Sequence, residues 1–226
     1  HVNSWIAERT CQLLRDHAAS QTDAASPFFM HVGFPDPHHP FRVPEPWGSM
    51  YDPEDLALPL PSMEPLNTKP PEYLAYMRGD LNKAHAGAGD FNNKDMTRLP
   101  DAHLKQIMAT TLGMISFIDH SIGEILSALA ETGLAATTLV VFTADHGDLM
   151  GDHRMIRKGP FLLEGLVHVP MVMRLPEGYP SGRRTEALAE HIDFYPTALE
   201  LAGAEPPQGL QGNSVLPLLR GERDTH

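Results

Sequence analysis

A long stretch of helical periodicity that runs, after a few residues, into a short segment apolar on both faces constrains this chain more than anything else in it. From Asp101 onward, Leu104, Ile107, Met108, Thr111, Ile115, Ile118, Ile122, Ile125, Leu126 and Leu129 recur at three- and four-residue spacing. Asp101 reads as the N-cap and Gly133 as the stop. Thr-Leu-Val-Val-Phe-Thr, 138–143, then has no polar face, the pattern of a strand covered by helices on both sides. Val-Pro-Met-Val-Met-Arg-Leu, 169–175, has the same character, and Phe-Phe-Met-His-Val-Gly-Phe, 28–34, is a third apolar run between prolines. A helix over 4–17, with Ile6, Thr10, Leu13 and Leu14 on one face, precedes the first strand, and another from Asp193 to Gly203 follows the last. This order predicts an α/β fold, a three-layer sandwich around a largely parallel sheet.

The 226 residues, 42% hydrophobic, suffice for one sizeable domain or most of one. A formal net charge of -12 argues against nucleic acid or an anionic membrane as a partner held by bulk electrostatics. Any anionic substrate must be met by a local cluster. No run approaches the ~20 uninterrupted apolar residues of a membrane span. The chain opens His-Val-Asn-Ser without a methionine and is read as a processed chain or a fragment. Its single cysteine, Cys11, leaves no intrachain disulfide to form.

Residues 35–71 carry prolines at short intervals without periodicity, and 81–93 are rich in Gly, Ala and Asn. Together they predict an irregular excursion over about 35–100, not a second domain. In α/β folds ligands bind where loops leave the carboxyl ends of strands. Two polar clusters occupy such places: Pro-Asp-Pro-His-His-Pro after the 28–34 run, and Ala-Asp-His-Gly-Asp after Thr143. A carboxylate oxygen of Asp145 and an imidazole nitrogen of His146 suit a divalent cation, and Gly147 is expected to turn the backbone so that both aim at one point. Two ligands do not close a site. Taken alone, Asp145 reads first as a turn cap and His146 as a solvated imidazole, and Lys158 is equally a surface cation.

The longer pattern changes that balance. Thr-Ala-Asp-His-Gly-x-x-x-Gly-Asp-His, the downstream Lys158, Phe161 and Glu164, the Pro-His-His-Pro loop, the helix around Phe-Ile-Asp-His-Ser-Ile-Gly-Glu and the late His-Ile-Asp-Phe-Tyr-Pro-Thr-Ala-Leu-Glu resemble the sulfatase family of the alkaline-phosphatase superfamily. The resemblance implies that 1–226 is the central and C-terminal part of a single sulfatase catalytic domain. It also implies a hydrolase of sulfuric esters working by a metal-assisted formylglycine mechanism on a sulfated small molecule or glycan, in the periplasm or outside the cell. Asp145 and His146 match metal ligands, usually for Ca2+; a histidine ligand puts Mg2+ or Mn2+ in play. Lys158 matches a lysine on the sulfate oxygens, and His38 a histidine that binds sulfate and protonates the leaving alkoxide, with His39 as its rival. Asp148, Asp152 and Glu164 are assigned to structure, because carboxylates facing a sulfate would repel it.

The nucleophile does not match. The family makes formylglycine from the first residue of Cys/Ser-x-Pro-x-Arg, whereas here Cys11-Gln-Leu-Leu-Arg15 puts Leu13 where proline is required. Cys11 falls inside the first helix, where a small buried thiol is the ordinary explanation. The expectation is that the nucleophile lies in a segment N-terminal to this chain, which assayed alone is inactive. The alternatives are a phosphonate monoester hydrolase or phosphodiesterase of the same superfamily, and an inactive, metal-stabilised glycan-binding module.

Overall fold

The computed structural model describes residues 1–20, 26–59, 70–77, 99–159 and 161–225. In chain order these form helices α1 (Val2–Ser20), α2 (Pro71–Met77) and α3 (Asp101–Glu131), strand β1 (Val140–Thr143), the one-turn helix α4 (Glu164–Val167), strand β2 (Met171–Arg174), and helices α5 (Phe194–Leu201) and α6 (Leu216–Arg220). They divide into two compact units, His1–Ala135 with Phe142–Met171, and Ala136–Val141 with Val172–His226.

In the first unit α1 packs along α3. The buried face of α1 is Asn3, Ala7, Thr10, Cys11 and Leu14, rotated from the expected one; Leu13 faces outward. On α3 the buried stripe runs through Leu104, Ala109, Thr111, Gly113, Met114, Phe117, Ser121, Ala128 and Leu129, while Ile115 is exposed. Small residues decide both rotations, because they let backbones approach. A Cβ on Gly113 would lie 2.3 Å from the Trp47 carbonyl oxygen, and the Trp47 ring stacks on Phe117 at 4.4 Å. By length and composition α3 is long and apolar enough to cross a membrane; here it packs against α1 and the turn at Trp47. Pro100, not Asp101, holds the cap position, and the Asp101 carboxylate pairs with Arg154 instead. Gly133 closes the helix at φ 76.

The strands depart furthest from expectation. Among the described residues there is one sheet, of β1 and β2 only, fewer strands than a three-layer sandwich needs. Residues 134–137 are a 3-10 turn, so β1 starts at Val140. Neither strand is covered on both faces, since Phe142 and Val172 are exposed. The 28–34 run forms no strand among the described residues, and Phe29 is 80% exposed. An apolar run becomes a strand only beside a partner, and that partner is a non-local matter. Within the expected excursion, 71–77 is helical; residues 81–93 lie outside the described residues.

In the second unit Asp193 precedes α5 as expected but is buried. Its Oδ2 accepts from Glu190 N at 2.7 Å and its Oδ1 from Asn213 N at 2.9 Å, so the carboxylate ties two loops together and does not cap α5's own amides.

Candidate active site

Asp145 and His146 follow β1 after one intervening residue and open a loop with its own small core of Leu149, Met155, Phe161 and Leu166. Tyr73 of α2 adds its ring, 4.2 Å from Phe161. Gly147 donates its N–H to the Leu166 carbonyl at 2.9 Å, and a Cβ there would sit 1.9 Å from the Gly165 carbonyl oxygen. Its φ is not positive. The glycine therefore permits contact with α4 and does not supply the expected sharp turn.

Beyond it, one oxygen organises the chain. Asp148 Oδ1 accepts from Met150 N at 2.9 Å and from Arg157 N at 2.8 Å, and Leu149 N donates to the Arg157 carbonyl at 3.0 Å. Between these ties Met150, His153, Arg154 and Arg157 take positive φ, from 44 to 70°, the left-handed region that glycine favours. Arg154 reaches Asp101 and the Leu99 carbonyl. Asp148 is thus structural, and Glu164 pairs on α4 with His168 at 2.6 Å.

This scaffold brings Asp145, His146 and Lys158 together. His146 Nδ1 lies 2.8 Å from the Gly147 carbonyl, which accepts only, so Nδ1 carries the proton and Nε2 presents its lone pair. Lys158 Nζ is seated on that lone pair at 2.8 Å, and Asp145 Oδ2 is 3.4 Å from the same nitrogen. A neutral imidazole fixed by a backbone carbonyl, with a carboxylate oxygen alongside, is a donor set that fits a divalent cation, and the lysine ammonium already holds a positive charge there. Among the described residues no group of three His, Cys, Asp or Glu forms a fuller site.

The second loop hangs from α1. Buried Asn3 donates its Nδ2–H to Asp36 Oδ2 at 2.9 Å, and burial pushes the Asp36 carboxyl above the usual range against that hydrogen bond. His38 is exposed, its Nδ1 2.7 Å from the His39 carbonyl and its ring stacked on His39 at 4.0 Å. His39 is half-buried. Its imidazole is held below the ordinary value by burial first, then by the positive charges of Arg157, His38 and Lys158, with Asp148 opposing. His39 lies in the field of Lys158 and lines a groove of about 360 Å³ with Arg42 and Arg157 against α3. Arg42 and Arg157 were invisible as site residues in the sequence; the only signal was the adjacency of Arg157 to Lys158. Cys11 is a buried residue of α1, its thiol pushed up mainly by burial, the opposite of an activated nucleophile.

The Sulfatase family profile matches residues 6–204. The chain belongs to the sulfatase family. The arylsulfatase of Clostridium perfringens (strain 13 / Type A) is 33% identical over 230 residues, covering 100% of this chain and 43% of that protein. The multifunctional alkaline phosphatase superfamily protein PehA of Trinickia caryophylli is 32% identical over 200 residues, covering 85% of this chain and 37% of that protein. The crystal structure of the phosphonate monoester hydrolase of Agrobacterium radiobacter superposes with a TM-score of 0.76 at 30% identity, covering 98% of this chain and 42% of that one. This sulfatase chain therefore spans 37% to 43% of the length of these relatives and has a sulfatase/alkaline-phosphatase-like fold.

Proposed function

We propose that the protein to which these 226 residues belong hydrolyses sulfate esters of small molecules or glycans. The observation that carries this reading is the seating of the Lys158 ammonium on His146 Nε2 with Asp145 Oδ2 beside it. In this reading Asp145 and His146 hold the divalent cation, which when bound polarises the sulfate oxygens. Ca2+ is the family's usual ion; the imidazole donor suits Mg2+ or Mn2+ as well. The cation takes the place on Nε2 that the Lys158 ammonium holds in this structure, and the released ammonium meets the charge that builds on those oxygens in the transition state. The role first given to His38 passes to His39, whose protonated imidazole gives its proton to the departing alkoxide. The attacking oxygen belongs to a formylglycine outside these residues, since Cys11 is a helix-interior thiol without the required neighbours.

The test is turnover of 4-nitrophenyl sulfate by the full-length protein. Lys158→Ala is expected to lower kcat about 10²- to 10³-fold, the usual cost of one charge-stabilising donor. A second reading is favoured by the superposition on a phosphonate monoester hydrolase over 98% of the chain. A higher kcat/KM on phenyl phosphonate monoester than on aryl sulfate selects it. Retention of a sulfated glycan with no turnover of either ester selects a binding module instead.

A further inference from the structure

The turn that carries His38 and His39 is tied to α1 through Asn3 and Asp36, and half of that tie has no partner. Asn3 is fully buried, and its amide nitrogen donates to Asp36 Oδ2 at 2.9 Å. Its amide oxygen, Oδ1, is buried and accepts from nothing among the described residues. Native structures rarely leave a buried carbonyl oxygen without a donor. Ser121 Oγ, a buried hydroxyl on α3, is unbonded as well and does not serve it. The Asp36 side chain is itself only 11% exposed. His1 Nε2 lies 3.8 Å from its Oδ2, too far for a hydrogen bond. His1 Nδ1 accepts from Asn3 N at 3.3 Å, so that imidazole is the neutral form with its proton on Nε2, and its ring meets Phe117 in a T-shaped contact at 5.1 Å. Burial pushes the Asp36 carboxyl up and the Asn3 bond opposes, with no charge from α1, α3 or the turn contributing. A carboxyl in such surroundings favours its neutral form, and the neutral form is a donor.

We infer that Asn3 and Asp36 close as a carboxylic acid–amide ring and so form the positioning pair of the histidine turn, Asp36 donating its O–H to Asn3 Oδ1 while its Oδ2 accepts from Asn3 Nδ2–H. Asp36 Oδ1 and Asn3 Oδ1 share their carbons with the two atoms already bonded, so rotation of the carboxyl is enough to bring them together. The proton comes from solvent. The ring satisfies the orphaned oxygen, and two parallel bonds fix the orientation of Asp36 where one leaves it free to swivel. Pro37, with its fixed φ, separates Asp36 from His38 and limits how far the histidines drift once Asp36 is held. The use of the histidines rests on the proposed hydrolysis; the ring rests on Asn3 and Asp36 alone.

Asp36→Asn separates the acid from the carboxylate. An asparagine amide repeats the ring at every pH, donating N–H to Asn3 Oδ1 and accepting from Asn3 Nδ2–H, which an ionised Asp36 cannot do. Full-length wild type, Asp36→Asn and Asn3→Leu are compared, with Asp36→Leu replacing the last should it fail to fold. Melting temperatures are followed from about pH 4 to about pH 8. The folded value of Asp36 lies above the unfolded one, so its contribution is full below the unfolded value and is lost as pH rises through the folded one. Asp36→Asn is therefore expected to melt level with wild type at the acid end and to pull ahead as pH rises. A difference that stays flat, or an Asp36→Asn that falls behind as pH rises, overturns the inference. Carbethoxylation of His39 by diethyl pyrocarbonate, read by peptide mass spectrometry, reports the turn. Asn3→Leu is expected to speed it at least about fivefold, with Asp36→Asn within about twofold of wild type. Equal rates in all three overturn the hold on the turn. Neither readout needs turnover, so a protein that hydrolyses no ester still decides the ring. In one that does, Asn3→Leu is expected to lower kcat on 4-nitrophenyl sulfate about tenfold with KM within about twofold. Faster labelling with unchanged kcat overturns the positioning role.

Discussion

A methyl group on Gly147 would have to occupy space within 1.9 Å of the Gly165 carbonyl oxygen, which is backbone and has nowhere to go. Gly147→Ala is therefore expected to destabilise the full-length protein by about 3 kcal/mol in chemical denaturation, the range of an overpacked interior. Gly165→Ala is the control: its Cβ meets the end of the Asp152 side chain at 3.3 Å and the Asp148 carbonyl oxygen at an ordinary 3.8 Å, and near-wild-type stability is expected. His39 supplies the second prediction at this scale. Donating a proton requires the imidazolium, and the folded protein holds His39 below its ordinary value. Activity should thus fall as pH rises through a limb on the acid side of the ordinary imidazole range. Removing a neighbouring positive charge, as in Arg157→Gly, should shift that limb to higher pH. His39→Gln should abolish the limb and cost about 10² to 10⁴ in kcat, against less than about tenfold for His38→Gln. The reverse ranking returns the role to His38.

At the scale of elements, the contact of α3 with the turn at Trp47 is set by absence of side chain. Gly113→Ala pushes a methyl into the Trp47 carbonyl at 2.3 Å, and a loss of about 2 kcal/mol is expected from thermal or urea melts, helix propensity gain notwithstanding. What the sequence disclosed follows the same logic. The extent of α3, its closure at Gly133 and the interior position of Cys11 were legible because periodicity and stop residues are local signals. The rotation of α1 and α3 was not, because Ala7 and Gly113 bury themselves by being small and no count of large apolar residues finds them. Strand 28–34 was misread for a different reason: an apolar run does not state whether a partner lies beside it. Asp145, His146 and Lys158 were legible as a constellation through the length of their pattern, and the structure seats them in one cluster. Neither the half-buried position of His39 nor the groove arginines could be read that way, since His39 and Arg42 depend on how Asn3 of α1 holds the Asp36 loop and Arg157 on how Asp148 ties the loop after β1.

At the scale of the molecule, two donors on one loop leave most of a six- to eight-oxygen calcium shell to water. Residues 1–226 expressed alone should bind Ca2+ no tighter than about 1 mM by calorimetry and hydrolyse no sulfate ester above background. Turnover by these residues alone that disappears in Cys11→Ala would make that buried thiol the nucleophile after all. A further consequence lies in Asp148, whose two loop-closing hydrogen bonds fall on a single oxygen. An asparagine amide has one such oxygen as well, so Asp148→Asn should keep the melting temperature while Asp148→Ala loses about 2 kcal/mol. The same asparagine deletes the negative charge that opposes the lowering of His39. The pH limb should then move further to acid in a loop of unchanged shape. Form and field are independently adjustable here, and one atom's difference in a side chain is enough to retune the working pH of such a site while its scaffold stays as it is.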